Sequence, residues 1–203
     1  MSDFFHYDSS LNSQDMMTFP QYLFSAGGES VFPKDGPYVA SNTALASQEL
    51  GLVGFIAKRT EPITRISIFT GGTAAAATPS IGRYGVYQRN GDGSITLLAA
   101  TANDVNLFNA TNSEFIKTLT TTFNKVKGVE YCIGQLVVSG VAMPTLNTPT
   151  TAWSAPFQTR VNIVRPLVQA KVTGQADLGA IGSSIAAASI VVSASAFHAL
   201  MLP

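Results

Sequence analysis

At 203 residues the chain suits one domain, or one domain with an arm, and can bury a sizeable core. Hydrophobic residues make up 46% of it and charged residues only 12%, about half the usual share, with 12 basic and 12 acidic side chains cancelling to zero. That balance excludes non-specific nucleic-acid binding, which needs a basic surface to displace counterions. It also leaves a charge-poor surface that suits a protein assembled with neighbours.

Residues 1–48 are polar and irregular, yet they hold Phe4, Phe5, Tyr7, Phe19, Tyr22, Phe24, Phe32 and Tyr38. Disordered segments are poor in aromatics, and no period of 2 or 3.6 runs through these. They read as an extended N-terminal arm that gains order by laying rings on another surface, either its own domain or a neighbouring subunit. Phe4, Phe5, Tyr7, Phe19, Tyr22 and Phe24 are the candidate attachment residues. The first eight residues lack a basic stretch followed by an apolar run, so no secretory signal is expected there.

The domain is expected over 49–203, beginning with a strand over 49–58. Short runs rich in β-branched and aromatic residues follow at 63–70, 81–88, 94–100, 115–123 and 129–138, each bounded by Gly, Pro, Asn or Asp. Alternation along 63–70 sets Thr64, Ile66, Ile68 and Thr70 on one face and Arg65, Ser67 and Phe69 on the other. The stretch 71–79 carries four alanines, but Gly71, Gly72 and Pro79 leave too little length to nucleate a helix. It reads as a loop. Between 81–88 and 94–100, Asn90-Gly91 and Asp92-Gly93 offer the positive φ that a hairpin turn demands. The connection 101–113, anchored by Leu107 and Phe108, is too long for a hairpin and predicts a crossing between two sheets.

Residues 140–160 read as an extended crossover with three prolines and the only tryptophan, Trp153. Strand chemistry returns over 161–172, where Pro166 argues for an edge or a bulge. Residues 174–184 read as a flexible loop, and 190–201 as the last strand. Residues 178–203 carry no charge, but their serines and His198 dilute them. A buried strand there is expected rather than a membrane span, which needs about 20 predominantly apolar residues. About eight strands in two antiparallel sheets predict an all-β, jelly-roll-like sandwich, with a closed eight-stranded barrel as the alternative.

Little in the chain points to catalysis. His6 and His198 sit in the arm and near the end, with no nucleophile motif beside either. Glu49, Glu61, Asp92, Asp104, Glu114 and Glu130 are dispersed, without the spacing of an acid–base couple. Asn103, Asp104 and Asn106 offer hard oxygens to a calcium ion, against the simpler reading as turn formers bonding their own backbone. Cys132, the single cysteine, reads as a small buried hydrophobe and rules out a disulfide framework. No catalytic residue, metal or cofactor is expected. Tyr84, Tyr87, Tyr131 and Trp153 would suit stacking on sugar rings if exposed; otherwise they fill the core or a subunit interface.

The strand sequence LGLVGFIA (50–57), PITRISIFTGG (62–72) and GRYGVY (82–87) continues with LLAAT (97–101), YCIGQLVV (131–138) and FHALM (197–201). In this order, over residues 50–201, it resembles β-sandwich modules of minor tail and fibre-type proteins of actinobacterial tailed phages. The resemblance implies a non-enzymatic structural virion protein, a minor tail or tail-tip component that assembles with other virion proteins. By analogy it would be a homo-oligomer, a trimer as fibre and tip sandwiches commonly are, that also contacts a host-surface glycan. A capsid decoration protein and a carbohydrate-binding module for host cell-wall glycans are the alternatives.

Overall fold

Two neighbouring strands of this chain are apolar along almost their whole length, and the computed structural model shows why: their sheet is covered on both faces. The structure describes residues 19–20, 29–30, 41–73, 79–140, 143–148, 169–192, 197 and 199–203. Fourteen strands occur among them. Three short ones come first, β1 (Phe19–Pro20), β2 (Glu29–Ser30) and β3 (Ser41–Ala44). Six long ones follow: β4 (Leu50–Ile56), β5 (Glu61–Phe69), β6 (Ile81–Arg89), β7 (Ile95–Ala100), β8 (Glu114–Lys125) and β9 (Glu130–Val138). The rest are β10 (Thr145–Thr148), β11 (Gln169–Val172), β12 (Ser184–Ile185), β13 (Val191–Val192) and β14 (Ala199–Leu202). The one helical element among the described residues is a 3-10 turn, Ala187–Ser189.

All pairings are antiparallel. A five-stranded sheet has the order β1-β2-β14-β5-β8 and a seven-stranded sheet the order β12-β7-β6-β9-β4-β11-β13. A small third sheet, β3 with β10, joins the first through a single bridge, Thr70 to Leu146. Successive strands switch sheets at β4–β5, β5–β6, β7–β8 and β8–β9, so the fold is a jelly-roll-like β-sandwich. Among the described residues the sheets do not join into a continuous barrel. The two large sheets touch along one corner, where Thr101 bridges to Leu119 and the Thr120 hydroxyl donates to the Ala100 carbonyl at 2.9 Å.

The six central strands lie where β-branched and aromatic runs predict them. Alternation then divides their side chains between two cores. Val53, Phe55, Tyr84, Val86, Tyr131, Ile133 and Val137 point from the seven-stranded sheet into the sandwich. There they meet Ile63, Ile66, Ile68, Leu119, Phe123, Ala199 and Met201. Leu50, Leu52, Tyr87, Ile95, Leu97, Cys132 and Leu136 point the other way and form a second core on the outer face. Strands buried on both faces lose the apolar–polar alternation of a half-buried strand, as β4 (LGLVGFI) and β9 (EYCIGQLVV) do.

Several expectations are corrected. Strict alternation over 63–70 fails at its start, because Ile63, not Thr64, is buried with Ile66 and Ile68. The cause is a register shift: Ile63 pairs with Phe123 but Arg65 with Thr118, so β8 bulges through residues 119–122 while β5 advances by Thr64 alone. In the 90–93 turn only Gly93 takes a positive φ, 83°. The Gly93 amide donates to the Asn90 carbonyl at 3.0 Å and Asp92 accepts from the Ser94 amide, so one glycine suffices. The single strand expected over 190–201 is two strands in different sheets, since Val191–Val192 pairs with β11 and Ala199–Leu202 with β5. Of 161–172 only Gln169–Val172 is described as a strand; it is paired on both sides, and Pro166 lies outside the described residues.

The connection 101–113 does cross from the seven-stranded to the five-stranded sheet. Leu107 and Phe108 anchor it in the core, and the Asp104 carbonyl approaches Gly82 so closely that a Cβ there would lie 2.5 Å from it. Phe108 adopts φ 63°, a costly conformation for a bulky residue, and its ring is fully buried against Tyr84 and Phe115. The boundary expected at residue 49 is crossed by backbone pairing: Ser30 and Glu29 pair with Leu200 and Met201, and Ser41–Ala44 with Thr145–Thr148.

Residues 173–190 are not a loose loop. They form a strap that leaves β11, runs across the outer face of the seven-stranded sheet and reaches its far edge, where β12 pairs with β7. The chain then turns back through Ala187–Ser189 and ends as β13 on β11, at the opposite edge. Residues 173–192 therefore lay Leu178, Ile185 and Ile190 on the second core and supply both edge strands.

Candidate functional site

Tyr84, Tyr87 and Tyr131 are buried, so none offers a ring to a sugar. Their positions follow from strand parity. Tyr84 spans the sandwich, and its hydroxyl donates to the Phe115 carbonyl at 3.3 Å. Tyr131 packs edge-on against Phe123, ring centroids 5.0 Å apart, and its hydroxyl accepts from the Val126 amide at 3.2 Å. Tyr87 lies on the outer face, over the paired glycines Gly85 and Gly134. Its hydroxyl is fully buried and has no hydrogen-bond partner among the described residues. Burial pushes the Tyr84 and Tyr87 phenols well above their usual range. Trp153, Phe4, Phe5, Tyr7, Tyr22 and Phe24 lie outside the described residues, and Phe19 is described only through its backbone pairing with Ser30.

The carboxylates are engaged in structural bonds. Glu49 pairs with Lys171 at 2.9 Å and Glu130 with Arg89 at 3.0 Å. Glu114 accepts from the Ser67 hydroxyl at 2.5 Å, and exposed Asp92 from the Ser94 side chain and amide. Asp104 pairs with Lys117 and accepts from the Asn106 amide. The Lys117 bond holds its carboxyl below the usual range, burial opposing and the Asn106 amide adding. Asn103 accepts from the Gly82 amide and donates to the Ser80 carbonyl. The oxygens of Asn103 and Asp104 that would face a calcium ion are thus turned onto the chain's own backbone and onto Lys117. No group of three or more His, Cys, Asp or Glu that could hold a metal ion occurs among the described residues. No helix among them is long and apolar enough to cross a membrane.

One ion pair is internal. Lys125, fully buried, donates to Glu61 at 2.7 Å, at the end of the sandwich where β4–β5 and β8–β9 cross over. The backbones of those crossovers are tied there, Ala57 to Val129 at 3.0 Å and Gly128 to Ala57 at 2.7 Å. A buried lysine so paired closes the end of the core.

The surface offers more than the interior. The strap is free of charge beyond Asp177, and Ile181 and Val191 stand 54% and 55% exposed. On the other sheet β8 is an edge strand of 12 residues whose exposed side chains, apart from Glu114, are uncharged: Ile116, Thr118, Thr120, Thr121, Thr122 and Asn124. The other edges, β1, β12 and β13, are two residues each. Long open edges are unusual in proteins that live alone. Sequence reasoning missed the strap's anchors, Asp177 and Leu178. The signal was there in that Asp177 is the last charge of the chain. No protein-family model matches this chain, and no curated protein matches it.

Proposed function

We propose that the chain is a non-enzymatic structural protein of a tailed-phage virion, a minor tail or tail-tip component that works by packing against other virion proteins. The observation that carries this reading is a charge-poor exterior, with Ile181 and Val191 exposed on one sheet and a long threonine-rich edge on the other. Such a surface resists association poorly in isolation and is suited to burial between subunits. The strand order over 50–201 that resembles tail and fibre modules supports the same reading. By that analogy the working unit is a homo-oligomer, a trimer. A glycan-binding role loses three of its four candidate rings to the core, so recognition of a host surface would need other residues.

Imaging intact particles with an antibody or gold label against this chain tests the proposal. Label at the tail or its tip is the expected result. Label spread over the capsid shell would instead identify a decoration protein. Purified particles without the chain would overturn the virion reading altogether.

A further inference from the structure

We propose that residues 173–190 are a hinged cover that opens as a unit, peeling β12 from β7 while the five-stranded sheet and strands β7, β6, β9, β4 and β11 stay paired, and uncovering the apolar outer face of the seven-stranded sheet.

Besides the two-residue β12–β7 pairing, the Ser184–Thr96 hydroxyl bond at 2.8 Å and the Gln175 amide, which donates to the Gln48 carbonyl at 2.9 Å, the strap is held at few points. Asp177 pairs with Arg83 at 2.7 Å. Leu178, the one buried residue of the strap, sits beside Leu97 and Tyr87 over Gly85, where an added Cβ would meet all three within 3.2 Å. At the far edge the Gly182 amide donates to the Leu97 carbonyl at 2.8 Å and the Leu97 amide to the Ser183 carbonyl at 2.9 Å. Ile185 and Ile190 are half-buried and the rest is exposed, apart from Gln175. Gly174, Gly179 and Gly182 all take positive φ, so backbone rotation is least hindered near the strap's start and at the bend before β12. The central strands are instead held along both edges; β9 pairs with β6 over eight residues and with β4 over six. Segments with little buried apolar contact and exposed backbone bonds open at lower free energy than core strands.

The Tyr87 hydroxyl biases this equilibrium. It lies on the covered face, close enough to Arg83 and Asp177 to feel their charges, and is buried without a partner. A buried hydroxyl without a protein partner carries a desolvation cost, which opening relieves. This pull toward opening acts on the strap and its β12 pairing, because strands β7, β6, β9, β4 and β11 beneath keep their bonds to one another. The inference is independent of the virion assignment.

Native-state hydrogen exchange on the full chain, read by peptide mass spectrometry, tests it. The amides of Gly182 and Leu97 should exchange together and faster than those of β9, such as Ile133 and Gln135. Tyr87→Phe, which removes the orphaned hydroxyl and keeps the ring, should slow strap exchange relative to β9 by roughly ten-fold. Asp177→Asn, an exposed change that leaves both cores intact, should speed it. The cover is overturned if strap and β9 amides exchange at one common rate in all three proteins, since opening is then global. It is also overturned if Tyr87→Phe leaves the strap-to-β9 ratio unchanged or lowers strap protection.

Discussion

Cys132 shows at the scale of one residue what a sheet covered on both sides does to chemistry. The thiol is fully buried on the outer face, and burial pushes it up from its ordinary 9.0 to about 12, with the nearby Glu130 charge adding to the shift. Between those values the unfolded chain has lost a proton that the folded chain keeps, so stability is unaffected below about pH 9 and falls as pH rises beyond it. The slope approaches about 1.4 kcal/mol per pH unit. Denaturant midpoints should therefore drop between pH 9 and 10 in the native protein and much less in Cys132→Ala; above pH 10 the buried Tyr84 and Tyr87 extend the decline in both. Identical pH curves for the two proteins would show that the thiol is not shielded. Gly134 is the companion case. A Cβ there would lie 2.7 Å from the Tyr87 ring and 2.9 Å from Leu50, so Gly134→Ala should cost about 1–3 kcal/mol through overpacking, measurable by urea unfolding.

Among the elements, β8 and the strap respond to substitution in different ways. At the end of β8, Lys125→Ala removes a fully buried cation and leaves Glu61 without this partner, a loss of about 3–5 kcal/mol for a buried pair. Lys125→Met, which keeps the volume, should recover much of that, and thermal unfolding of the two variants checks the order. On the strap, Leu178→Ala should release the cover and cost about 2–5 kcal/mol at most, since the site can collapse. The contrast explains how much of the fold was legible in the chain. β4 through β9 announce themselves through β-branched and aromatic runs, and 101–113 through two apolar anchors in a polar stretch too long for a hairpin. The strap does not, because its burial rests on Leu178, Ile185 and Ile190 scattered among Gly, Ala and Ser, without a period. Nor could Tyr84, Tyr87 and Tyr131 be told from exposed rings, since the unbroken runs of a doubly covered sheet erase the inside–outside alternation that would have placed them.

At the scale of the molecule, every buried member of both cores among the described residues lies at Leu50 or beyond. Deleting residues 1–40 removes β1 and β2 but leaves β14 paired with β5, so the truncated chain should keep its β-type circular dichroism and unfold cooperatively. A non-cooperative melt would show that these first strands are integral to the five-stranded sheet. The strap sets a further condition on how the molecule is made. Val138 completes the middle of the seven-stranded sheet, yet its two outermost strands arrive only with Ser184–Ile185 and Val191–Val192. A ribosome adding about 5–20 residues per second needs several seconds to supply that last stretch. Throughout that interval the nascent chain carries an oily face and unsatisfied strand margins. A stop codon or a stall before residue 184 would leave it in that state permanently, so truncated products should collect in inclusion bodies or on chaperones while the finished chain does not.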